Sequence, residues 1–441
     1  MTNQLQQSTW KRRAIAVGAV AAVSLGATWS VPASAAGSSA LFGTVADVTP
    51  QSSVKTGAAM RAVAPRTEPL YRSQLPETDP EGPAGTVLAE VPLDARVGLA
   101  GASKQFRIAY TTVDQHGKPA TSTGAVFFPR GETPDGGWPV VAWAHGTVGL
   151  GDECAPSINP RSPRDAEYLN RWLEQGYAIV ATDYVGLDSP GLHSYLNGSV
   201  AAQNVVDSVA AAHAMDATRA AGGLAKQWAV VGQSQGGGVA LHVARRATPL
   251  SEKLGLDYRG AVATGAPAYI EEIIIAAGPT FPPVPLPPAL GTYGLYILAA
   301  LQEAYPDVDI DSALTDEGRR MIAEAKKSCF AEVRDAVEGT NLSRMFTKPL
   351  RDVDGLERAA REFMGTPVTG YDKPVFLGHG LADRDVPTPI GVLLNSDMWI
   401  RQFVGAERNQ QVVVKWYPAD HSGTVNLSTA DSAPFLRTIF S

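Results

Sequence analysis

Basic charge is scarce in this chain, and part of it is confined to one end. The 441 residues hold 37 Lys and Arg against 44 Asp and Glu, a formal net charge of -7. Lys11, Arg12 and Arg13 lie in the first 36 residues, which carry no acid, so the remainder stands at -10. An acidic body offers no footprint for nucleic acid, and the short basic clusters elsewhere, such as Arg245-Arg246, read as solvated helix faces. Long apolar runs are also missing. The longest candidate, Ala14 to Thr28, has 15 residues, short of the ~20 that span a bilayer as a helix. Cysteine is reduced to Cys154 and Cys329. Internal repeats are absent, which argues against a peptidase built on a propeller array.

What is present is enough for a large core. Hydrophobic residues make up 44% and charged residues 18%, a globular composition, and the length allows one large domain or two ordinary ones. The N-terminus has a charged stretch, the apolar run, then VPASAAG with small residues at alternate positions. That order is a secretory signal peptide, expected to cover 1–36 and to be cleaved after Ala35 or Ala36. The expected localisation is extracellular. Residues 37–66, rich in Gly, Ala, Ser and Thr, read as a linker or flexible arm. In an exported chain the two cysteines can pair; the alternative is two separate buried thiols.

The region 67–441 reads as the folded unit. FRIAYTTVD (106–114) and TSTGAVFFPR (121–130) flank a turn and predict a β-hairpin. Six short runs rich in Val and Ala follow, at 138–146, 177–183, 228–234, 260–267, 373–380 and 411–418. Runs without polar alternation suit strands buried on both faces of a parallel sheet. Helical patterns at 163–176, 198–222 and 235–248 separate the earlier ones, giving a doubly wound, mostly parallel α/β sheet. The stretch from about 268 to 370 breaks this rhythm and is too long for a loop. It reads as an inserted, largely helical cap, with PPVPLPP (282–288) as a rigid connector.

Chemistry concentrates around GQSQG at 232–236. A G-x-S-x-G match is weak alone in a chain with 43 Gly, but this one lies between a buried strand and a helix, the order a nucleophile elbow requires. Ser234 is then the candidate nucleophile, and the N–H of Gln235 would face a developing oxyanion. The base should follow a C-terminal strand, which favours His421 over His379 and His242. The acid should follow the preceding strand, where Asp383 is favoured and Asp385 held in reserve. A second oxyanion donor is expected in AHGTVG, at the N–H of Thr147, with His145 bracing the loop.

AHGTVG (144–149), CAPS (154–157), TDYVGLDSPGLHSYLNG (182–198), GQSQGG (232–237), HGLADRDVP (379–387) and ADHSG (419–423) together resemble the secretory lipase family of α/β-hydrolases, found in yeasts and bacteria. The resemblance covers roughly 70–441. It implies an α/β-hydrolase fold with a helical cap over the acyl site, ester hydrolysis often on lipids, and Ser234, Asp383 and His421 as the triad. It also implies a Cys154–Cys329 bridge pinning cap to body. The expected function is a secreted lipase or esterase acting on fatty-acyl esters, with no cofactor or metal. Expected partners are a lipid or small ester substrate and transient contact with a lipid interface, with no nucleic acid and no obligate protein. Alternatives keeping the triad are an acyltransferase and a specialised carboxylesterase; the non-enzyme alternative is a binding protein on a hydrolase scaffold.

Overall fold

The computed structural model describes residues 58–72, 75–76, 79–282 and 284–441. The expected signal peptide and most of the expected arm lie outside these residues. From Ala58 onward the chain lies against the helical insertion, with a bridge from Ala58 to Thr340 and a bond from Arg61 N–H to Ala336 O.

Nine strands form one sheet: β1 (Val87–Pro92), β2 (Lys104–Val113), β3 (Pro119–Phe128), β4 (Trp138–Ala144), β5 (Ala178–Thr182), β6 (Leu224–Gln233), β7 (Asp257–Thr264), β8 (Val375–Gly380) and β9 (Val412–Tyr417). Their spatial order is β1-β2-β3-β5-β4-β6-β7-β8-β9. The first three pair antiparallel and join β5 antiparallel, while β5, β4, β6, β7, β8 and β9 run parallel.

The main helices, counting those of seven residues or more, are α1 (Pro163–Glu174), α2 (Gly198–Ala214), α3 (Gln235–Lys253), α4 (Ile270–Ala276), α5 (Pro288–Ala304), α6 (Asp316–Ala325), α7 (Phe330–Ala336), α8 (Leu356–Met364), α9 (Thr388–Ile400) and α10 (Thr429–Phe440). The strand pleat sends alternate residues to opposite faces. On β4, Val140, Ala142 and Ala144 pack with α2 and α3, whereas Val141 and Trp143 pack with α1 and α10. Both faces are covered, which is why β4 is an apolar run without polar alternation.

Two helices depart from their sequence patterns. The expected helix over 198–222 ends at Ala214, because Met215 is extended and the Thr218 hydroxyl bonds the Ala212 carbonyl. Helix α3 runs past the expected end to Lys253 and contains Pro249. The edge strand β1 had no clear pattern, since its residues are mostly half-buried.

Helices α4 to α8 lie between β7 and β8 and close around a core of their own, which includes Leu295, Leu298, Met321, Val333 and Phe363. Pro288 opens α5 at its first position, where a missing N–H costs nothing. The insertion is joined covalently to the body by a disulfide between Cys154 and Cys329. Beside it, Phe330 N–H bonds Val148 O at 2.8 Å and Leu150 N–H bonds Ser328 O at 3.3 Å. The insertion is thus tied to the loop that leaves β4.

Candidate active site

The parallel strands β4, β6, β7 and β8 place their C-terminal ends side by side, and the site is built there. Strand β6 delivers Ser234 into a sharp turn with φ 58° and ψ -125°, and α3 starts at the next residue. A non-glycine residue at such a φ is strained by roughly 1–3 kcal/mol, an outlier of the kind that clusters at functional sites. The flanking glycines are required by space. A Cβ on Gly232 would stand 1.9 Å from Gly236 O, and one on Gly236 would stand 1.9 Å from Ala144 O. The G-x-S-x-G spacing therefore records a backbone crossing too tight for any side chain.

The first helical bond of α3 runs from Gly238 N–H to Ser234 O at 3.1 Å. The N–H groups of Gln235, Gly236 and Gly237 precede that ladder, at the positive end of the helix. Gly146, in the loop after β4, lies against the same turn; a Cβ there would be 3.6 Å from Ser234 Cβ. Thr147 follows it and borders the cleft that holds Ser234 and His421.

His421 follows β9 and Asp383 follows β8, as expected from chain order. His421 Nδ1 is 2.7 Å from Asp383 Oδ2. Asp383 Oδ1 accepts from the N–H groups of Asp385 at 3.1 Å and Val386 at 2.9 Å. The second ring nitrogen of His421, Nε2, is buried and has no hydrogen-bond partner among the described residues. Room for the ring comes from Gly265 at the end of β7 (φ 55°), where a Cβ would meet His421 Cε1 at 2.8 Å.

Asp385, the reserve acid, is half-buried beside this pair and gives Asp383 a backbone bond. Burial pushes its carboxyl above the ordinary range, and the nearby His421 opposes this. Donor atoms of Asp383, Asp385 and His421 lie within 4.8 Å of one another, close enough for a metal; two of those residues already bond each other. His379 lies with Nε2 3.1 Å from Val386 O and 3.6 Å from Asp383 Oδ2. Burial lowers its pKa. His242 is buried in α3 against Gly198 and does not border the cleft.

Two further residues were not singled out by sequence reasoning. Tyr195 OH is 2.7 Å from Thr147 Oγ1, and His193 Nε2 is 2.8 Å from Gln235 Nε2. Burial drives the His193 pKa down to about 3. The neutral ring then donates from Nδ1 to Val185 O at 3.3 Å and accepts the Gln235 amide at Nε2. One loop, 182–198, therefore touches both residues expected to supply oxyanion donors. Its sequence stood out as a family string; the available signal was two hydrogen-bonding side chains, His193 and Tyr195, spaced two apart. His145 braces the loop after β4, with Nε2 3.2 Å from Asp183 O and its own carbonyl accepting the Tyr184 hydroxyl.

Ser234 sits between two spaces of different character. On one side a cavity of about 1020 Å³, open mouth included, runs beneath the insertion. It is walled by Ile270, Ile274, Leu290, Ile297, Met345 and Phe346, among others. On the other side is a polar cleft bordered by Thr147, Asn159, Arg161, Arg164 and His421.

A parallel sheet with a strand–serine–helix turn and a histidine–aspartate pair at its C-terminal edge defines an α/β-hydrolase. Residues 163–362 match the family model described as "Secretory lipase". That span contains Ser234 and Gln235; Asp383 and His421 lie beyond it. The family match and the fold support a hydrolase of the lipase/esterase kind. No curated protein sequence matches the chain significantly. Among solved structures it is similar to Candida antarctica lipase A in its closed state, at 17% identity and TM-score 0.63, over 81% of this chain and 82% of that one. It is similar at 19% identity and TM-score 0.63 to the rice cell wall degrading esterase LipA from Xanthomonas oryzae, over 81% of this chain and 98% of that one. A putative hydrolase from Legionella pneumophila aligns at 18% identity and TM-score 0.63, over 80% of this chain and 98% of that one. At these identities the likeness is one of fold.

Proposed function

We propose that this protein is a secreted lipase, cleaving acylglycerols or other fatty-acyl esters through an acyl-enzyme on Ser234. The observation that carries this reading is that Ser234 borders an apolar cavity and, with His421, a polar cleft, with Asp383 bonded to His421. The apolar walls suit an acyl chain; burial stabilises each methylene by roughly 0.8 kcal/mol.

In the proposed reaction the ester carbonyl lies over Ser234 with its acyl chain in the cavity. His421 takes the Ser234 proton through Nε2 as Oγ attacks the carbonyl carbon. Asp383 holds the imidazole in the tautomer with Nδ1 protonated and stabilises the imidazolium that forms. The N–H groups of Gln235 and Thr147 receive the oxyanion, each worth about 10²–10³ in turnover. His421 next protonates the leaving alcohol, which departs into the polar cleft. Water activated by His421 then attacks the acyl-enzyme and releases the acid.

Export is supported by the charged–apolar–small order of the N-terminus and by the disulfide, a bond that persists in oxidising surroundings. Assay of wild type and Ser234→Ala on p-nitrophenyl esters of increasing chain length tests the reading. Wild type should favour medium or long chains, and the variant should lose activity throughout. Equal activity in the two proteins would remove the mechanism.

A further inference from the structure

The polar cleft contains a cation without a counterpart. Of the arginines that border it, Arg164 bonds Asp165 at 2.9 Å and Arg334 bonds Asp335 at 2.9 Å. Arg161 has no hydrogen bond or ion pair to any described residue, and its Nε is buried without a partner. Its guanidinium lies over the Phe127 ring at 5.2 Å from the centroid. The nearest buried carboxylate in charge terms, Asp183, is already bonded to Ser157 N–H at 2.9 Å and Thr123 Oγ1 at 2.8 Å. Burial works against the Arg161 charge, lowering its pKa. A half-buried guanidinium left without an acceptor is costly to keep. A carboxylate or phosphate would match its donor fork.

Ser234 borders both this cleft and the apolar cavity, whereas Thr147 and His421 border the cleft. We propose that it receives the alcohol part of the ester, and that Arg161 selects alcohols carrying an anionic group, a carboxylate or a phosphate. The inference rests on the proposed acyl-enzyme reading, which puts the acyl chain in the cavity and leaves the cleft for the alcohol. Asp165 does not cancel the preference, because Arg164 already holds it. Arg161 acts by charge and by its planar fork, so it sets selectivity rather than taking part in bond making.

The test compares two nearly isosteric esters, butyryl glycolate and butyryl glycolamide, which differ by one negative charge on the alcohol side. Wild type should show kcat/KM about tenfold or more higher for the glycolate ester, a bidentate charge pair of roughly 1.4 kcal/mol or more. Arg161→Gln should bring the ratio close to one, and Arg161→Lys should keep part of it. Raising salt should lower the wild-type ratio, which keeps the proposal testable if Arg161→Gln does not fold. Butyryl glycerol phosphate against monobutyrin, assayed in the same way, separates phosphate from carboxylate selection. A wild-type ratio at or below one with both pairs, or a ratio that Arg161→Gln leaves in place, overturns the proposal. Ser234→Ala distinguishes the two levels: if it still cleaves both esters, the acyl-enzyme reading has failed; if it is inactive while wild type shows no preference, only the role of Arg161 has failed.

Discussion

His421 Nδ1 stands 2.7 Å from Asp383 Oδ2, and the other oxygen of that carboxylate is fixed by the N–H groups of Asp385 and Val386. Asp383 is thus aimed by the backbone that follows β8, and it aims the imidazole in turn. Asp385 contributes to this through its backbone N–H, which any residue but proline supplies. Asp383→Asn should lower kcat by about 10⁴, because an amide favours the wrong imidazole tautomer. Asp385→Asn should cost less than about tenfold. Steady-state kinetics on one ester decides it; similar losses in both variants would contradict the assignment.

Tyr195 tests the loop behind Thr147. Its hydroxyl is 2.7 Å from Thr147 Oγ1, and its ring packs edge-on to Tyr296. Tyr195→Phe keeps the ring and removes the bond. Turnover should fall about tenfold with KM nearly unchanged, since the loop is needed most when the oxyanion forms. A rise in KM alone would assign Tyr195 to substrate binding.

Gly294 lies on α5 where it borders the apolar cavity, and a Cβ there would be 3.7 Å from Leu342 Cδ1. Gly294→Phe should fill the cavity beyond the first carbons of an acyl chain. Activity on dodecanoate esters should drop at least about tenfold while acetate esters are retained, a steric discrimination of the size pockets commonly achieve. A profile that falls evenly at all lengths would place the acyl chain elsewhere.

Stability should weaken in acid through buried histidines. Burial holds the His242 pKa at about 4 and the His193 pKa at about 3 in the folded chain; the unfolded value is about 6.5. Below that pH the unfolded chain takes up protons that the folded chain refuses, so stability falls as pH drops. Asp207, pushed up to about 6 by burial, acts in the opposite sense. His242→Gln isolates one contribution. Between pH 6 and pH 5 it should gain about 1 kcal/mol relative to wild type in denaturant unfolding. A difference independent of pH would contradict the burial of a neutral imidazole.

Much of this is legible in the sequence because the central strands of the parallel sheet are covered on both faces. Val140 and Val141 point to opposite cores and both must be apolar. The edge strand β1 was illegible for the converse reason: its half-buried residues include Glu90, whose carboxylate accepts from Ala217 N–H. Chain order brought Ser234, Asp383 and His421 to one place on paper. The cavity was not readable, since Ile297 and Leu298 both border it and pack in the insertion core, while Ala300 and Leu301 on the same apolar stretch of α5 pack in the core alone. Composition does not distinguish a wall from a filling. Arg161 was equally hidden, because its lack of a partner is a property of folded distances.

The central claim is the acyl-enzyme on Ser234, and a fluorophosphonate reports on it directly. Intact-mass measurement followed by peptide mapping should find one adduct per chain, on Ser234, with labelling abolished in Ser234→Ala and slowed at least about 10³-fold in His421→Ala. An unlabelled wild type, or an adduct on another serine, would contradict the account.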